Sequence, residues 1–174
     1  MIASRSLKEK VDNFTVATIR TSQGEIKIEL NADKAPNTVK NFISYAREKQ
    51  YDNTIFHRVI SNFMIQGGEF KSDKEAKKPS RDPIKSEAHN GLKNQRGAMS
   101  MARTGDPDSA KAQFFINVRN NEFLNNSKSN AGYTVFGKVI KGMNVVDEIK
   151  NGKTKKNDWP EQPVIIEEII LSRE

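Results

Sequence analysis

Short strand-like runs follow one another along most of this chain without a helix between each pair, and that order limits the fold more than any other feature. Parallel strands need long crossover connections, so a parallel α/β sheet is not expected. Phe14 to Arg20 and Glu25 to Leu30 are joined by Thr-Ser-Gln-Gly, a hairpin signal with glycine available for positive φ. Ile26, Ile28 and Leu30 alternate with Lys27 and Glu29, as in a half-buried strand. Further strands are read over Arg96 to Ala102, Ala112 to Val118, Tyr133 to Ile140 and Val164 to Leu171. Only two helices are clear. One starts near Pro36 and carries Val39, Phe42, Ile43 and Ala46 at i, i+3, i+4, i+7 spacing. The other covers Gly142 to Ile149, with Met143, Val146 and Ile149 on one side. Seven or eight strands and two helices suit an antiparallel barrel capped by the helices, because closure removes exposed edges.

The stretch TIFHRVISNFMIQGGEF, Thr54 to Phe70, reads as two strands with a bend around Ser61-Asn62. Strand alternation sends Met64 and Gln66 to one face and Ile65 to the other. One face can be core while the opposite one carries Arg58, Met64 and Gln66. An edge strand with a solvated arginine fits these residues equally well. The AQFFINV strand repeats the pattern, with Gln113 and Phe115 on one face and Phe114 and Ile116 on the other. Two strands thus each offer a glutamine amide beside an apolar side chain. Phe63 at the bend and Phe123-Leu124 in a later loop can complete an apolar pocket. Periodicity alone favours ordinary core aromatics over such a pocket.

At 174 residues the chain suits one domain, here residues 13–174 behind a polar N-terminal extension, residues 1–12. No apolar run approaches the roughly 18 residues of a membrane helix, so no membrane partner is expected. Without cysteine there is neither a disulfide nor thiol chemistry. The net charge of +7 raises nucleic acid as a partner. Yet the basic residues are scattered, and the densest cluster, Lys71 to Arg81, contains acids and a proline, so a solvated loop explains it better and no nucleic acid is expected. The N-terminus lacks an apolar signal-peptide core, which predicts a cytoplasmic protein, or a periplasmic one if the chain is a mature form. A monomer is expected, since no heptad or exposed apolar stripe argues otherwise.

His57 and His89 are the only side chains with an ordinary titration near neutrality, and no histidine or cysteine pairing suggests a metal. There is no phosphate loop; Gln66-Gly67-Gly68 is too short. What remains is groove chemistry without proton transfer, metal or cofactor.

FHRVISNFMIQGGEF, RGAMSMA, AQFFINV and YTVFGKVIKGMNVVDEI, in this order and spacing, resemble the cyclophilin family of peptidyl-prolyl cis-trans isomerases. The likeness runs from about Phe14 to Leu171. NGLKNQRG, MARTGDPDSA and FINVRNNEFLN are more similar to the bacterial branch. The resemblance implies a mainly β fold: an eight-stranded antiparallel closed β-barrel capped by two α-helices, with a substrate groove on its outer face. It also implies isomerisation of X–Pro bonds in proline-containing peptides and in unfolded or nascent proteins. A proline-peptide binding module or holdase chaperone with incidental isomerase activity is the alternative.

By the same resemblance Arg58 is the catalytic arginine and Gln66 the glutamine that supports it and bonds the substrate. Phe63, Met64, Phe115 and Leu124 match the pocket for the proline ring. Ala102, Arg103 and Gln113 match the strip where the residues before proline lie, and His57 and Tyr133 fall near the rim. Tyr133 departs from the family's usual histidine. Phe123 stands where members that bind cyclosporin tightly carry tryptophan, which predicts weak cyclosporin binding. The only tryptophan, Trp159, lies in another segment.

Overall fold

The hairpin signal at Thr-Ser-Gln-Gly opens the fold. Strands β1 (Val16–Thr21) and β2 (Gly24–Leu30) pair antiparallel around it, with Thr21 opposite Gly24. The computed structural model describes residues 13–174; the expected extension, residues 1–12, lies outside the described residues. Helix α1 (Pro36–Arg47) follows, then β3 (Thr54–Ile55), β4 (Arg58–Ile60) and β5 (Met64–Gly67). After a long loop come β6 (Ala98–Met101), β7 (Phe114–Asn117) and β8 (Val135–Lys141). Helix α2 (Met143–Lys150) and β9 (Ile165–Ser172) are the last helix and strand among the described residues. Among the described residues no helix is long and apolar enough to cross a membrane.

The nine strands of the described residues belong to one sheet, in the order β3-β9-β1-β2-β8-β6-β7-β5-β4. The expected count was eight. The difference lies in one strand that is broken in two: β3 pairs with β9, β4 pairs with β5, and only Phe56 and His57 separate them. The two ends of the ladder are thus consecutive in the chain. One backbone bond crosses the seam, Ile55 N–H to Phe70 O at 2.8 Å, instead of a continuous ladder, while Phe56 N–H to Val164 O at 3.2 Å extends the β3–β9 pairing. Gly67 makes this approach possible, since a Cβ there would stand 2.5 Å from the Ile55 carbonyl oxygen.

Alternation divides each strand between two environments. Ala17, Ile19, Ile26, Ile28, Ile65 and Phe114 turn into the barrel core, all with no exposed area. Helix α1 brings Phe42 into the same core, where its ring meets Tyr51, Phe114 and Phe136 at 5.2, 6.0 and 5.4 Å between centroids. Burying such a side chain is worth roughly 1.5–3 kcal/mol. Helix α2 adds Val145, Val146 and Ile149. Its buried stripe differs from the expected one at one position: Val145 is buried, whereas Met143 is only partly covered. On the opposite face of the sheet a second, separate cluster joins Met64, Phe115 and Leu124, flanked by Ile60, Phe63, Ala102 and Tyr133.

Candidate functional site

Strand register builds the site on the outer face. Arg58 is directly opposite Gln66 across β4–β5, Gln66 opposite Phe115 across β5–β7, and Phe115 opposite Ser100 across β7–β6. Four residues from four strands therefore stand in one lateral row, close enough for their side chains to meet. Phe63 comes from the turn before β5 and Leu124 from the 3-10 turn Glu122–Leu124. Tyr133 precedes β8, and its N–H donates to the Leu124 carbonyl at 2.9 Å.

Together Arg58, Phe63, Met64, Gln66, Phe115, Leu124 and their neighbours Ala102, Arg103 and Tyr133 line a pocket of about 110 Å³. That is well below the ~300 Å³ or more of a drug-sized ligand site, and suits one side chain. A second depression of about 360 Å³ adjoins it, shares Gln66, Ala102 and Arg103, and adds Gln113 and Glu69. The pair forms a groove: a small apolar slot beside a longer polar strip. A cavity of about 390 Å³ elsewhere, between α2 and the loop before β9, is larger but brings Glu148, Lys153 and Glu161 around an apolar floor, without an arginine or a convergent donor set.

A chain of amides runs under the groove. Arg58 Nη1 donates to Gln66 Oε1 at 3.4 Å, Gln66 Nε2 donates to Gln113 Oε1 at 2.8 Å, and Gln113 Nε2 donates to Glu69 Oε2 at 3.0 Å. Arg58 is exposed and keeps further N–H donors beyond the one given to Gln66. Arg103 is held differently. Its guanidinium lies 4.2 Å from the Tyr133 ring centroid and donates to the carbonyls of Gly132 and Thr104 at 2.7 and 2.8 Å. Tyr133, where the family usually has histidine, is thus the platform for that arginine, and it meets Phe115 edge-on at 5.7 Å.

Two expected residues take other places. His57 does not line the groove. Its neighbour Arg58 does, and adjacent residues of an extended chain point to opposite sides. The imidazole packs instead on Phe70 and Trp159, at 4.7 and 6.1 Å between centroids. Burial, with the nearby Arg58 charge adding to it, lowers its pKa to about 4, and Nδ1 is buried with no partner among the described residues. Phe123 is 66% exposed and lies outside the pocket lining, but its ring stacks against Phe63 at 5.4 Å.

Behind the pocket is a buried polar network that sequence reading missed. Asn94 Nδ2 donates to the carbonyls of Leu124 and Tyr133, and Asn121 Nδ2 donates to that of Phe63. Asn94 Oδ1 in turn accepts from Ser100 at 2.6 Å and Asn117 at 3.1 Å. All four residues are at most 1% exposed. They tie three walls of the slot to strands β6 and β7. The signal was an unusual number of asparagines around residues 117–126, which reads locally as loop chemistry.

Comparison with known proteins agrees with this geometry. Residues 16–170 match the family described as cyclophilin type peptidyl-prolyl cis-trans isomerase. The sequence is 52% identical over 164 residues to peptidyl-prolyl cis-trans isomerase B of Escherichia coli, covering 90% of this chain and 99% of that one. It is 54% identical over 156 residues to a peptidyl-prolyl cis-trans isomerase of Acinetobacter baylyi, covering 87% and 82%. Among solved structures, a cyclophilin type isomerase of Cryptosporidium parvum superposes with a TM-score of 0.78 at 30% identity, covering 92% of this chain and 99% of that one. The same protein, determined in the presence of the dipeptide Ala-Pro, gives 0.77 at 29% identity, covering 91% and 99%.

Proposed function

The chain belongs to the cyclophilin-type peptidyl-prolyl cis-trans isomerases, and on that premise we propose that rotation about X–Pro bonds takes place in the groove beside Arg58. The observation that carries this reading is the meeting of one guanidinium with an apolar slot, Phe63, Met64, Phe115 and Leu124, on a single concave surface. The family binds proline-containing peptides, and unfolded or nascent proteins are the expected source of them.

Amide resonance gives the X–Pro bond a barrier near ~20 kcal/mol, so spontaneous exchange takes tens of seconds or more. At the twisted state resonance is broken and the proline nitrogen regains a lone pair. A donor aimed at that nitrogen favours the twisted state over either planar isomer. Only such differential binding raises turnover. Arg58 suits the task because it stays charged and presents fixed N–H donors. No general acid or base is needed. The slot holds the ring while the acyl side turns in the polar strip lined by Ala102, Arg103 and Gln113. Gln66 keeps an acceptor on Arg58 and so orients it.

One preorganised donor is worth roughly 2.7–4 kcal/mol, or about 10²–10³ in rate. Arg58→Ala is expected to lose at least ~10²-fold in kcat/KM with an unchanged fold. Arg58→Lys should fail nearly as badly, because a point charge does not reproduce the fork. A coupled prolyl-peptide assay checks both; near-normal rates in either variant would remove Arg58 from the reaction. NMR exchange on a proline peptide separates catalysis from mere peptide holding, since Arg58→Ala then retains binding and loses exchange.

Phe123 supports a further reading. It presents a bare ring where an indole N–H would donate to cyclosporin, and Trp159 lies against His57 and Phe70 instead. Inhibition by cyclosporin should be weak with catalysis intact, and Phe123→Trp should strengthen it; a low-nanomolar inhibition constant for the unaltered protein would contradict this.

A further inference from the structure

Glu69 stands one residue beyond the Gly67-Gly68 pair that ends β5. Gly68 has φ +108°, which lets the chain turn there without a steric cost. The half-buried carboxylate comes to rest at the far end of the polar strip, with Oε2 accepting from Gln113 Nε2 at 3.0 Å. A carboxylate accepts and does not donate. Gln113 must therefore turn its NH₂ toward Glu69, which leaves its carbonyl oxygen facing Gln66. That oxygen accepts from Gln66 Nε2 at 2.8 Å. The same logic then repeats. With its NH₂ engaged, Gln66 presents Oε1 toward Arg58 Nη1, 3.4 Å away.

Either amide alone could lie in two orientations related by a flip. With both flipped, Gln66 would present its NH₂ to a guanidinium, donor against donor. Nothing at the Arg58 end is rigid enough to prevent this, since Arg58 is an exposed side chain with its own freedom. The other end is. Glu69 lies at the far end of the strip from Arg58, and its backbone is pinned where its carbonyl accepts from the Lys77 N–H at 2.8 Å.

We infer that Glu69 is a positioning residue for the isomerase reaction: it sets the polarity of the Gln113–Gln66 amide pair, so that an oxygen and not an NH₂ group faces Arg58. The inference rests on the role of Arg58 proposed above. Glu69 acts through two residues in series and lies away from the slot that receives the proline ring, so its removal affects turnover more than binding.

The test uses the whole protein with Glu69→Gln and Glu69→Asp. Glutamine keeps the shape but can donate as well as accept, so the polarity of the pair is no longer set. The expected result is a drop in kcat of roughly three- to tenfold, the scale of one net hydrogen bond, with KM nearly unchanged. Glu69→Asp retains an acceptor and recovers most of the loss. Side-chain amide signals of Gln66 and Gln113 in ¹⁵N NMR, single in the parent, become broadened or doubled in Glu69→Gln. In a Gln113→Ala background, where the series is already cut, Glu69→Gln has no further effect on kcat. An unchanged kcat in Glu69→Gln overturns the inference, as does a rise in KM alone, which would make Glu69 a substrate contact. Full additivity with Gln113→Ala overturns it too. Arg58→Lys run in parallel separates the two levels: if it is normal, the Arg58 mechanism fails, whereas an impaired Arg58→Lys with a normal Glu69→Gln removes only the role of Glu69.

Discussion

Two guanidiniums border the groove and are held in contrasting ways. Arg103 is stacked on Tyr133 and bonded to two backbone carbonyls, so its position is prescribed and it serves as a wall between slot and strip. Arg58 has a single weak acceptor at 3.4 Å and keeps donors to offer. His57, next door, sits in an aromatic cage that disfavours its charge. Its folded pKa of about 4 lies below the ordinary 6.5, so between these values the unfolded chain binds a proton that the folded one refuses. Stability is therefore full above pH ~6.5 and falls as pH drops toward 4, by up to about 3 kcal/mol from this residue. His57→Phe should flatten that part of the stability–pH curve in urea titrations, and activity at neutral pH should stay within about twofold. Arg58 and Gln66 could be read from the sequence because alternation puts them on one face and motif likeness gives them a role. The place of His57 could not, because it depends on Phe70 and Trp159, the latter about a hundred residues away in the chain.

Helix α1 is an element without its own beginning. Ala35 at the N-cap offers no side-chain acceptor, and the first turn contains no acid. Glu87, from the long loop, supplies both: one oxygen accepts from the Thr38 N–H and hydroxyl at 2.7 Å each, and the other from the Asn37 N–H at 3.4 Å. A cap of this kind contributes about 1 kcal/mol, and the negative charge suits the helix N-terminus. Glu87→Ala should lower stability by about 1–2 kcal/mol in chemical denaturation while kcat/KM changes little. The same contact explains how the stretch 71–95 holds its place without forming a helix or strand. Its composition showed that it was irregular; its anchor points, Glu87 and the Ile84–Ala110 bridge, involve partners too distant for local pattern to reveal. Strands and helices were legible to within a few residues, since alternation and 3.6-residue spacing leave a local trace. The break between β3 and β4 left none, because it reflects a change of pairing partner and not of residue type.

At the scale of the whole molecule, the sealing of the ladder ends depends on a glycine. A methyl group at residue 67 would meet backbone on the other side of the seam, which cannot move aside as a side chain tip can. Gly67→Ala should cost about 1–3 kcal/mol by overpacking and, through the adjoining Gln66, reduce kcat/KM; thermal melts and the prolyl-peptide assay would check both. The barrel as a class was visible in the order of the strands; its outer-face groove was implied by the family resemblance, since alternation in the two glutamine-bearing strands fitted core aromatics as well. The seam has a temporal meaning as well. Strand β9 lies between β3 and β1, so a chain still being synthesised can pair β1 with β2 but leaves the other edge of β1, and β3 altogether, without a partner until β9 has left the ribosome. The seam therefore closes only once β9 has bridged β1 and β3, late in the making of the sheet.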